Sequence, residues 1–148
     1  INDPSAILAY TFFENTMYIR RVESVRKEFP ELCRYIPEFV HNYGYSSSSK
    51  VKIEPKASGK SVKQQLKQST NLNVIEDKPP TQDKVSRANG IAPFIESGRC
   101  VLLEGSWVDG FLNQCASFPN GVHDDEVDCL VMAVENETTR KKAIKAFV

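Results

Sequence analysis

Within six consecutive positions the sequence places His123, Asp124, Asp125, Glu126 and Asp128, broken only by Val127. Carboxylates held that close raise each other's pKa unless a cation neutralises them, and oxygen donors of this kind suit a hard divalent ion. A plainer reading stands beside this one: acids in the first turn of a helix complement its dipole, and Asp124 suits an N-cap. One or two acids suffice for that, whereas here three aspartates and a histidine share one helix start. Val127, Leu130, Val131 and Val134 fall on one helical stripe. Asp124 and Asp128, four residues apart, border that stripe and are expected at the edge of a core rather than in open water.

Glu54 is the second candidate. Val51-Lys52-Ile53 reads as a short buried strand ending at Glu54, and α/β sheets place their ligands at the carboxyl ends of strands. Around it lie Lys50, Lys52, Lys56, Lys60, Lys63 and Lys67, opposed in residues 50–70 by Glu54 alone. Lys56, Lys60, Lys63 and Lys67 fall along one helical face while Val62 and Leu66 turn inward. Such a stripe suits a phosphate backbone, although a solvated lysine face has the same pattern. Metal-binding carboxylates beside a phosphate-attracting surface point to phosphodiester hydrolysis, in which two divalent ions about 3.5–4 Å apart activate water and stabilise the leaving oxygen. Ser58-Gly59-Lys60-Ser61 matches the tail of a phosphate-binding loop, but the position that needs the loop's first glycine holds Glu54, so that reading is set aside.

These residues need elements to position them. Residues 5–13 and 16–25, rich in aromatic and β-branched types and separated by Glu14-Asn15, read as a β-hairpin. Residues 29–43 have helical spacing, with Pro37 as a possible kink and Gly44 as the stop. After Ser46 to Ser49 come the strand at 51–53 and a helix at 60–69. A strand at 72–75 is ended by Lys78-Pro79-Pro80, and a helix covers 81–95. A strand at 99–103, a helix at 107–116, a tight turn at Phe118-Pro119-Asn120-Gly121, a helix at about 124–136 and a basic helix at 139–147 complete the pattern. Strands alternating with helices after a hairpin predict an α/β fold with a sheet of mixed direction.

At 148 residues the chain has the length of one domain. Nineteen basic and nineteen acidic residues cancel, yet residues 96–137 carry nine carboxylates against Arg99, so a neutral total conceals a basic and an acidic region. Cys33, Cys100, Cys115 and Cys129 are far apart, which disfavours a zinc ribbon and a redox pair, and they are expected to be reduced and mostly buried. No apolar run is long enough for a membrane helix and no leader is read at the start, so the cytosol is the expected compartment.

Phe118-Pro119-Asn120-Gly121-Val122-His123-Asp124-Asp125-Glu126-Val127-Asp128 closely resembles the carboxy-terminal signature of the nuclease domain of tailed-phage terminase large subunits. Further matches follow in the family's order: the hairpin with Phe29-Pro30-Glu31-Leu32, then residues 51–59, Lys84-Val85-Ser86-Arg87, and Ser97-Gly98-Arg99-Cys100-Val101. The resemblance implies a ribonuclease H-like mixed sheet flanked by helices, and a domain that cuts concatemeric double-stranded viral DNA with Mg2+ or Mn2+. It carries Glu54, Asp124 and Asp125 over as catalytic metal ligands. His123 and Asp128 match flanking, supporting positions, Asp128 counted among the metal ligands, and Lys56, Lys60, Lys63 and Lys67 are expected on the DNA. It further implies the portal protein and the small terminase subunit as partners and the host bacterial cytoplasm as the setting. Residues 1–148 are expected to be the nuclease domain without the ATP-driven motor. The family's first metal-binding aspartate is expected on a strand upstream of the segment matched by Asn2-Asp3-Pro4-Ser5-Ala6, and Asp3 matches a later loop position. Two other readings share the same residues: a catalytically silent DNA-binding or docking module, which predicts salt-sensitive binding indifferent to divalent ions, and another ribonuclease H-like nuclease such as a junction resolvase or integrase.

Overall fold

A computed structural model describes the backbone of residues 4–145 and the side chains in that span other than those of Ala57 and residues 139–145. Asp3 and the end of the helix expected at 139–147 lie outside the described residues. The chain divides into two units, Arg26–Thr81 and, discontinuously, Pro4–Val25 with the residues from Gln82 onward.

In the discontinuous unit, β1 (Ser5–Phe13) folds back on β2 (Thr16–Val25) as an antiparallel hairpin. Glu14 and Asn15, at φ 50° and 61°, take the left-handed turn whose twist matches two such strands. β2 also pairs in parallel with the strand Cys100–Leu102, Met17 opposite Cys100 and Ile19 opposite Leu102, which makes a three-stranded mixed sheet. Helices at Lys84–Glu96, Val108–Ser117 and Asp125–Lys145 complete the unit. Its core joins Met17, Ile19 and Val22 of the hairpin to Ile91, Trp107, Phe111 and the stripe Val127, Leu130, Val131 and Val134, all buried. Tyr10 donates a hydrogen bond to Glu137 at 2.8 Å and Ser24 donates to Glu126 at 2.7 Å, tying the last helix to both strands.

In the continuous unit, α1 (Phe29–Asn42) precedes β3 (Val51–Ile53), α2 (Ala57–Ser69) and β4 (Val74–Glu76). β3 and β4 pair in parallel, with α2 as the crossover. Cys33, Ile36 and Phe39 of α1, Val62 and Leu66 of α2, and Leu72 and Val74 form its buried apolar set. In chain order the remaining elements are α3 (Lys84–Glu96), β5 (Cys100–Leu102), α4 (Val108–Ser117) and α5 (Asp125–Lys145).

Several boundaries differ from expectation for identifiable reasons. α2 starts at Ala57 rather than Lys60, because the backbone N–H of Lys60 already donates to the carbonyl of Lys56. α3 starts at Lys84 rather than Thr81, where the Asp83 carboxylate caps it by accepting from the N–H of Ser86 at 2.8 Å. The two helices expected at 124–136 and 139–147 are one helix through Lys145: the side chains of Asn136 and Thr138 bond back to the carbonyls of Met132 and Val134, so neither residue ends it. Pro37 sits inside α1, which runs unbroken to Asn42. Among the described strands the hydrogen bonding makes two sheets, one of three strands and one of two, rather than a single sheet. The four cysteines are free thiols, but only Cys33 is buried and the others are half-buried. Burial, then the nearby Glu126 and Cys100, push the Cys115 thiol up to about 11.

Candidate functional site

The tight turn after α4 delivers the chain to the amino end of α5. There the N–H of Asn120 donates to the carbonyl of Ser117 at 2.8 Å, and the N–H of Glu126 to Oε1 of Gln114 at 2.6 Å. The N–H of Asp128 donates to the carbonyl of Asp124 at 2.9 Å, closing the first turn. Buried Val127 pins that turn to the core, so Asp124 and Asp128 emerge at its edge with side chains 30% and 26% exposed. Asp124, Asp125 and Asp128 each offer an oxygen within 4.8 Å of the others. Three half-buried carboxylates converging in this way are a donor set that suits a hard divalent cation. His123 and Val122 stand exposed on the approach to this turn.

Lys84, the first residue of α3, reaches into the cluster. Its Nζ donates to Asp124 Oδ1 and Oδ2 at 3.2 and 3.1 Å and to Asp128 Oδ2 at 3.3 Å. Partial burial alone would lower the pKa of Lys84, but the hydrogen bonds and charges of Asp124 and Asp128 outweigh that and raise it. The lysine is 57% exposed, so each ion pair contributes only about 0.2–1 kcal/mol. One helical turn further, Arg87 grips Glu135 through Nη2 at 2.7 Å and Nε at 3.2 Å, which holds α3 against α5. In the sequence, the segment from Lys84 to Arg87 stands out only as one of the further matches to the family. The available signal was the spacing of its two cations, three apart on one helix face, against a carboxylate-rich stretch that otherwise had only Arg99 to oppose it.

In the continuous unit, Glu54 follows β3 directly. Its side chain is 52% exposed and pairs with Lys56 at 3.1 Å. Lys56 therefore stands at the N-cap of α2 rather than in its body, while Lys60 and Lys67 are exposed and Lys63 half-buried, with Val62 and Leu66 turned inward as expected. Gly59 lets α2 pack directly on the strand end that carries Glu54. A Cβ at Gly59 would overlap the Glu54 carbonyl oxygen and come within 2.9 Å of Ile53 Cγ2. Gly59→Ala is expected to destabilise this unit by about 1–3 kcal/mol, read as a lower urea midpoint at unchanged slope; an unchanged midpoint would show that the contact is not tight.

The mixed sheet, its flanking helices and the carboxylates at the start of α5 make an α/β architecture consistent with a ribonuclease H-like fold. Residues 46–137 match the family model of the terminase RNaseH-like domain, well over half of the sequence, and the chain belongs to that family. The match spans Glu54, the lysines of α2, Lys84 and the aspartate cluster. A comparison with curated proteins finds no match. Among the described residues no helix is long and apolar enough to cross a membrane.

Proposed function

We propose that this terminase nuclease-type domain is a divalent-metal-dependent endonuclease that cuts concatemeric double-stranded DNA during viral DNA packaging. The observation that carries the reading is the convergence of Asp124, Asp125 and Asp128 inside the family match. These carboxylates would hold Mg2+ or Mn2+, which when bound activates water and stabilises the leaving oxygen of a phosphodiester. α5 supplies rigidity: its buried stripe fixes the first turn, which carries Asp125 and Asp128, and Asp124 stands immediately before it. Glu54 is proposed as a further acidic residue of the reaction, His123 as a supporting one, and Lys56, Lys60, Lys63 and Lys67 as phosphate contacts that give salt-sensitive DNA binding. Portal and small-subunit partners, and a host bacterial cytoplasmic setting, belong to the same proposal.

The test is nicking and linearisation of supercoiled plasmid with Mn2+, with Mg2+ and with chelator. Metal-dependent cutting that chelator abolishes is the expected result. DNA binding without cutting, indifferent to metal, would replace this reading with a silent docking module. Preference for branched over linear substrate would move it to a resolvase.

A further inference from the structure

We infer that Lys84 is the resident counter-ion of the aspartate cluster, and that a divalent ion binds there by displacing the Lys84 ammonium from Asp124 and Asp128. The inference rests on the metal-binding reading above and concerns what occupies the carboxylates before the metal does. Three carboxylate oxygens within 4.8 Å repel one another, and the Lys84 ammonium lies 3.1–3.3 Å from oxygens on two of the three residues. It thus holds the cluster together without a metal, and it uses oxygens that a metal would claim.

The release is mechanically simple. The Lys84 backbone is fixed by other contacts, since Asp83 caps α3 and Arg87 holds Glu135. Only the flexible four-carbon stem has to move, and the side chain is already more than half exposed. A lysine suits this role where an arginine would not, because an ammonium is a point charge with rotatable donors and lacks the planar fork that locks a guanidinium onto carboxylates. The contacts are also individually weak, so a doubly charged ion that meets all three carboxylates outcompetes them. Once released, the ammonium stays tethered within one side-chain length of the cluster.

Two measurements on the full chain test this. Mn2+ binding followed by electron paramagnetic resonance should be roughly two- to thirtyfold tighter in Lys84→Met than in the unaltered protein, the range that loss of two weak ion pairs implies. In the unaltered protein, saturating Mg2+ should move the 15N-detected ammonium resonance of Lys84 to that of a solvated lysine. Equal Mn2+ affinities overturn the inference and leave the metal-binding reading standing. So does tighter binding in the variant with the Lys84 resonance unmoved by Mg2+, which would mean repulsion through space without displacement. No Mn2+ binding by either protein overturns both.

Discussion

Asp124→Asn is expected to slow plasmid cleavage by about a hundredfold or more. Partners that merely orient metal ligands are already worth about 10- to 100-fold, so a ligand itself should exceed that. The same substitution should leave the fold intact. It removes one half-exposed ion pair with Lys84, worth about 0.2–1 kcal/mol, and relieves repulsion among three neighbouring carboxylates. The two effects oppose each other, so the urea midpoint measured in chelator should hardly move. A cleavage rate equal to that of the unaltered protein would remove Asp124 from the proposed chemistry. In the same assay Glu54→Ala should abolish cutting without unfolding, as its carboxylate is exposed and its ion pair with Lys56 lies at the surface; full activity would remove Glu54 in turn.

Val134→Asp should unfold the discontinuous unit. Val134 is fully buried in the stripe of α5 that meets Met17 and Ile19. A carboxylate at that position has no partner and no water. The expected loss is about 4 kcal/mol or more, a large part of the about 5–15 kcal/mol that holds a domain folded. Loss of the cooperative melt by circular dichroism, together with loss of Mn2+ binding, is the expected outcome. A variant that melted normally and kept the metal would show that the aspartates do not depend on this packing.

What could be read in the sequence follows the range of the interaction. The hairpin was legible to the residue, because Glu14-Asn15 and the flanking strands are adjacent in sequence. The inward faces of α2 and α5 were legible because a helical stripe repeats locally, and Val62, Leu66, Val127, Leu130, Val131 and Val134 are all buried. The convergence of the three aspartates was legible because one helix turn supplies them. Pairings between distant segments were not: nothing local shows that Cys100–Leu102 joins β2 while β3 and β4 pair apart from it. Lys84 escaped for the same reason, lying 40 residues from Asp124 in sequence and meeting it only through the docking of α3 on α5. The continuity of α5 beyond Asn136 was missed because the side-chain bonds of Asn136 and Thr138 to the preceding turn leave no compositional mark.

The discontinuity of the larger unit bears on how the molecule is made. Its hairpin is local and forms in about 1–10 μs once both strands are available. The helix that buries the hairpin's inner face comes far later: Tyr10 and Glu137 are 127 residues apart. At about 5–20 residues per second of synthesis, roughly 6–25 s separate the two. During that interval Met17, Ile19 and Val22 lack α5, and a complete segment from Arg26 to Thr81, with its own βαβ crossover, emerges between the two halves. The nascent chain therefore carries an uncovered hairpin face while residues 26–81 are being made, and this is the stage at which a chaperone or an aggregation partner would meet it.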